Sequence, residues 1–146
     1  MWKYLLQTDK DITPLCVRIA LGVVMLPHGA QKVLGWFGGH GFSQTLQAFY
    51  SMGFPAWSTV MLMIVELLGS LSLIAGFLTR IWAFGFLVSM SICMSISHIQ
   101  HGFFMNWFGQ KAGEGIEYHI LVIGIAIGLT IQGGGALSLD RFIKRK

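Results

Sequence analysis

Ile64-Val65-Glu66-Leu67-Leu68-Gly69-Ser70-Leu71 puts one carboxylate near the middle of an apolar run, Ala56 to Leu78, that is long enough to cross a bilayer. A membrane helix needs about 20 largely apolar residues. A charge at bilayer depth costs roughly 2.5–3.5 kcal/mol on insertion scales unless it is paired, protonated or wetted. Glu66 therefore demands partners, and the other apolar runs are candidates to supply them.

Composition agrees with that reading. Hydrophobic residues make up 54% of the 146 and charged ones 11%, against about 25% charged in soluble domains. The class is an integral membrane protein, all-α, with one domain over 1–146. The first apolar run is bracketed by Arg18 and Lys32 with no small-residue cleavage site after it, so it reads as a retained span. The net charge of +4 comes mostly from basic residues near the termini. It reports membrane topology and gives no reason to expect a nucleic-acid partner. Gly133-Gly134-Gly135 follows a helix and precedes no strand, so it is a helix terminator and not a phosphate loop.

Four spans are predicted, approximately 14–34, 56–78, 81–101 and 116–132. Trp2, Tyr4 and Lys3 belong to an amphipathic arm ahead of the first. Between spans one and two, Ser43 can cap a short interfacial helix that Gly53 and Pro55 stop. Phe103, Phe104, Trp107 and Phe108 form an aromatic collar after span three. Lys3, Lys10, Arg80, Arg141, Lys144, Arg145 and Lys146 fall on one side, and Lys32 and Lys111 on the other. The positive-inside rule then puts both termini in the cytoplasm.

His28, His40, His98, His101 and His119, with Glu114 and Glu117, all fall in the outer half of this topology. At 100° per residue, Arg18, Gly22, Met25, Gly29 and Lys32 share one stripe, with His28 about 80° to the side. Thr59, Glu66, Gly69, Leu73 and Gly76 share another. Ser91, Ser95 and His98 align on span three, near His101. Glu117, Gly124 and Gly128 align on span four, which turns His119 about 200° away and out of the site. The small residues on each stripe predict close helix approach, so the polar stripes face inward. Counting rise from the span ends brackets Glu66 between Arg18 and His28 in depth.

An Arg18–Glu66 ion pair is the resulting expectation, with His28 above it and Lys32 snorkelling to the interface or serving as counter-charge to a headgroup. The candidate ligand-binding and proton-handling residues are Glu66, Arg18, His28, His98, His101, Lys32 and Glu117. Such a pair can equally be a structural device that fixes helix register. No resident metal is expected, because paired-helix sites carry Glu-x-x-His on more than one helix. The lesser alternative is an ion on His98, His101 and Glu66. Cys16 and Cys93 read as buried, inert thiols.

Arg18-x-x-Leu21-Gly22, His28-Gly29-x-x-Lys32, Glu66-x-x-Gly69, Gly76-Phe77-x-Thr79-Arg80, His98 before Gly102-Phe103-Phe104, Glu117-Tyr118 and Gly133-x-Gly135-x-x-Ser138-Leu139-Asp140 occur in order over nearly the whole chain. Together they resemble the DoxX family of small four-span membrane proteins. That resemblance implies a cytoplasmic (inner) membrane location and an association with quinone-linked redox complexes, with a quinone as the candidate cofactor. The expected function is binding of a quinone-like or amphipathic ligand in an outward-facing intrabundle pocket. The partners would be the bilayer and redox-complex subunits, with self-association left open. No CxxC or other electron-carrying motif is present, so whether the chain is itself an enzyme stays open. The alternatives are a non-catalytic assembly or stabilising subunit and, less favoured for want of an internal repeat, a small-solute carrier.

Overall fold

The computed structural model describes residues 5–144, and the expectations for Trp2, Lys3, Tyr4, Arg145 and Lys146 lie outside them. Among the described residues the chain is all-helical, without strands. Three helices are long and apolar enough to cross a membrane: α1 (Ile12–Leu34), α3 (Ala56–Ala75) and α4 (Thr79–His101). The shorter α2 (Gly41–Ser51) lies between α1 and α3. α5 (Glu117–Gln132) is a shorter apolar helix, and α6 (Leu139–Lys144) ends the described chain. Leu21 and Met25 of α1, Leu73 of α3, Phe86 and Met90 of α4 and Ala126 of α5 meet in one apolar core.

Local chemistry explains most helix ends. The Asp11 carboxylate accepts the Thr13 N–H and caps α1. α2 starts earlier than the Ser43 cap predicts. Gly41, at φ +73°, turns the chain, and His40 precedes the helix without a side-chain cap. α3 stops at Ala75 and not Leu78, because Gly76 at φ +69° takes the left-handed conformation that closes a helix. A Cβ there would also lie 2.6 Å from the Ser138 Cβ. Asp140, fully buried, accepts the N–H groups of Leu78 (2.6 Å) and Thr79 (2.9 Å) and caps α4 from 61 residues away. A cap from so far along the chain leaves no local signal.

Helix register is set by glycine contacts and not by the level at which the spans end. A Cβ on Gly29 would lie 2.5 Å from the Leu67 nitrogen, and one on Gly22 2.9 Å from the Ser70 carbonyl oxygen. These contacts place Lys32 beside Glu66 and carry Arg18 a further two turns down α3. The expected Arg18–Glu66 pair therefore does not form.

Arg18, 1% exposed, donates instead to the carbonyls of Gly134 (2.9 Å), Leu73 (2.8 Å), Leu137 (3.0 Å), Ala136 (3.3 Å) and Ile74. Its guanidinium thus satisfies the open carbonyls at the end of α3 and the turn after α5. Replacing Arg18 with Met should leave several of these carbonyls unsatisfied, at about 1–3 kcal/mol each. Thermal unfolding of the detergent-solubilised variant should show a large fall in midpoint, while Arg141→Met on the same end leaves it nearly unchanged.

Candidate functional site

Lys32 lies in the last turn of α1 and Glu66 in a π-helical turn, Val65–Gly69, within α3. The Lys32 Nζ donates to Glu66 Oε2 at 2.7 Å, with the two side chains 23% and 4% exposed. Lys32 is thus the partner of the intramembrane carboxylate and not a snorkelling interfacial residue. The Ser70 hydroxyl donates to the Glu66 carbonyl, one of the backbone acceptors that the π turn displaces from α-helical pairing.

The pair sits at the edge of a cavity of about 580 Å³ between α2, α3 and α4. Phe49, Phe54, Trp57, Leu62, Val65, Phe84, Val88 and Ile92 make its walls apolar. Lys32 and Glu66 are the charged residues that line it, and Ser58, Thr59, Ser89, Ser97 and Cys93 add small polar groups. The Thr59 hydroxyl is buried and has no hydrogen-bond partner. A mostly apolar cavity with a few placed polar groups is the usual form of a small-molecule site.

Of the residues proposed from sequence, Lys32 and Glu66 line this cavity, and the others are elsewhere. Arg18 is in its carbonyl cage. His28 is exposed beside the Tyr118 ring, centroid to centroid 6.5 Å, and Tyr118 donates to the Met25 sulfur at 3.1 Å. Glu117 is not at a pocket rim. Its carboxylate accepts the Met105 N–H at 2.9 Å, and Glu114 accepts the Asn106 N–H at 2.7 Å, so both hold the loop after α4. His101 packs on Gly113 in the same loop.

His119 is a correction to the sequence reading. It is buried with Val122, Ala126 and Leu129, while Gly124 and Gly128 have no close neighbour where a Cβ would stand. The inward face of α5 is therefore the one opposite the glycines. His119 meets His98 at 4.2 Å between ring centroids. With Cys93 these form a group whose donor atoms all lie within 4.8 Å of one another. The expected grouping of His98, His101 and Glu66 is not assembled. Nor are the thiols buried and inert: Cys16 is exposed and Cys93 half-buried beside two imidazoles. The missed signal is a second π-helical turn, Met94–His98, which offsets every residue after Cys93 from its α-helical angle.

Comparison with known proteins adds a family. The DoxX family model matches residues 13–107. CatD of Bacillus subtilis (strain 168), provisionally named an oxidoreductase, is 26% identical over 133 residues, covering 91% of this chain and 88% of CatD. Inner membrane protein YqjF of Escherichia coli (strain K12) is 26% identical over 142 residues, covering 94% of this chain and 96% of YqjF. No solved structure matches the chain significantly.

The Lys32–Glu66 geometry has a direct stability consequence. Lys32→Met should leave Glu66 buried and unpaired, at about 3–5 kcal/mol. Adding Glu66→Met should restore most of that loss, because the pair's desolvation cost disappears with the pair. Thermal unfolding of both variants in one detergent checks the sign of the coupling.

Proposed function

The chain belongs to the DoxX family, and on that premise we propose that it binds a quinone-like amphipathic ligand in the cavity beside Lys32 and Glu66, within or next to a membrane redox complex. The observation that carries this reading is the pairing of one apolar cavity with one nearly desolvated ion pair. A lysine ammonium has three N–H donors. Glu66 takes one, and the others are free in direction to meet a carbonyl headgroup. The apolar walls would take the ring and tail, and the unpartnered Thr59 hydroxyl offers one further polar contact. The provisional oxidoreductase name of CatD supports the redox association.

Binding is tested with protein in nanodiscs titrated with a short-tailed benzoquinone. Saturable one-to-one binding is expected, weakened at least tenfold by the near-isosteric double variant Lys32→Gln/Glu66→Gln. Unsaturable uptake, or equal affinity in the folded double variant, overturns the reading.

The same proposal places the chain in the cytoplasmic membrane with four crossings, α5 being the fourth, and both termini inside. YqjF's name supports the membrane. Lys10, Arg80, Arg141 and Lys144 at one end, against Lys32 and Lys111 at the other, support the sidedness. α5 spans about 24 Å at 1.5 Å per residue, short for a crossing, so it would require tilt-free packing or a locally thinned bilayer. Alkaline phosphatase fused after Lys146 should be inactive, and the same reporter placed after Lys111 active.

A second reading is favoured by a separate observation, the Arg18 cage. Polar residues in this chain do serve packing, so Lys32 and Glu66 could do so too, in an assembly or stabilising subunit. In that case Glu66→Gln lowers the unfolding midpoint and leaves quinone affinity untouched.

A further inference from the structure

We propose that Cys93, His98 and His119 form a three-ligand site for a thiophilic d¹⁰ metal ion, Zn²⁺ or Cu(I), at the outer end of α4 and α5. The inference is independent of quinone binding, because it rests on a different set of donors.

The backbone builds the site. In an α-helix, residues five apart point about 140° from each other. Cys93 and His98 are five apart, but the turn between them is π-helical, and the Ile99 N–H bonds the Met94 carbonyl, five residues back. In such a turn residues five apart stack on one face, so the π turn brings the thiol and the imidazole together. Single π turns inside α-helices recur at functional sites. α5 then supplies His119 from across the helix pair, with its ring 4.2 Å from that of His98.

The protonation pattern suits a metal. His98 Nδ1 lies 3.0 Å from the Glu114 carbonyl oxygen. A carbonyl only accepts, so Nδ1 carries the proton and Nε2 presents its lone pair. A metal-binding histidine is typically oriented in this way, by its other ring nitrogen on a carbonyl. His119 Nδ1 is buried without a hydrogen-bond partner of normal geometry, although the Gly115 carbonyl is near the ring. A buried ring nitrogen without a partner is costly, and a bound cation would remove that cost.

The donor set selects the ion. One thiolate with two imidazoles suits zinc or copper and is a poor match for calcium or magnesium. The donor atoms lie within 4.8 Å of one another. Tetrahedral zinc sites with Zn–S near 2.3 Å and Zn–N near 2.0 Å hold donors about 3.3–3.6 Å apart, so loading would draw the side chains together by about 1 Å. Three protein ligands leave one position open, as in catalytic zinc sites. Cys93 also lines the apolar cavity, so the open position has access to that space.

The test uses full-length protein without a polyhistidine tag, stripped with chelator and titrated in detergent with Zn²⁺ or, under reducing anaerobic conditions, with Cu(I) against a chromophoric competitor. One equivalent should bind, and Cys93→Ser and His119→Ala should each weaken it at least tenfold, while His40→Ala does not. Which ion binds more tightly identifies the metal. A second readout needs no variant at the site: the bound ion should slow maleimide labelling of Cys93 in a Cys16→Ser background. If neither ion binds at one equivalent, or neither protects Cys93, the proposal is overturned.

Discussion

The structure depends on a guanidinium buried without a directly bonded carboxylate. Arg18 brings five N–H donors into a region with no water to receive them. It can remain there because the chain offers carbonyls from two separate segments, Leu73–Ile74 and 134–137. Those carbonyls are free because α3 ends at Gly76, and because Gly133 and Gly135 turn the chain at φ +82° and +70°. Asp140 caps α4 on the other side of the same junction and adds a favourable charge to Arg18 at longer range. Each element needs the others. Without the arginine the helix ends are orphaned, and without the glycines the carbonyls do not converge.

This junction explains what could be read from sequence. The stripes on α1 and the first part of α3 were legible because those segments are regular, so 100° per residue is a sound ruler there. Arg18, Gly22, Met25 and Gly29 are all buried as the spacing requires. The ruler failed at two kinds of place. Register between helices depends on how close two backbones come, and span ends do not encode that, so Glu66 was assigned to Arg18 and not to Lys32. Beyond a π turn the angle is offset, so the meeting of Cys93, His98 and His119 could not be extrapolated. On α5 the inference that glycines mark the contact face was wrong because Gly124 and Gly128 meet nothing close, and Ala126 makes the contact.

The residues that carry the family resemblance divide between two ends of the molecule. Arg18, Gly76, Thr79, Arg80, Gly133, Gly135, Ser138 and Asp140 belong to the junction, where Arg80 also donates to the Gln7 and Thr130 carbonyls. Their chemistry is accounted for by helix closure. Gly29, Lys32 and Glu66 lie at the other end, where the glycine allows the approach and the ion pair fills it. Membership in the family therefore speaks first of a way to close helices in lipid, and only second of a site.

The charge state of the cavity constrains what could occupy it. Lys32 and Glu66 together are neutral, and their walls are apolar. An anionic or cationic ligand entering that space would leave one uncompensated charge in a low dielectric, a cost of several kcal/mol. A neutral amphiphile with carbonyl oxygens adds acceptors for the ammonium and brings no charge to be neutralised. Its apolar body would replace exposed surface on Trp57, Phe84 and Ile92. The same neutrality favours a thiolate paired with a monovalent ion on the Cys93 side of the cavity, since that pair also sums to zero. Electroneutrality in lipid is thus one constraint acting on the ion pair, the cavity and the neighbouring thiol.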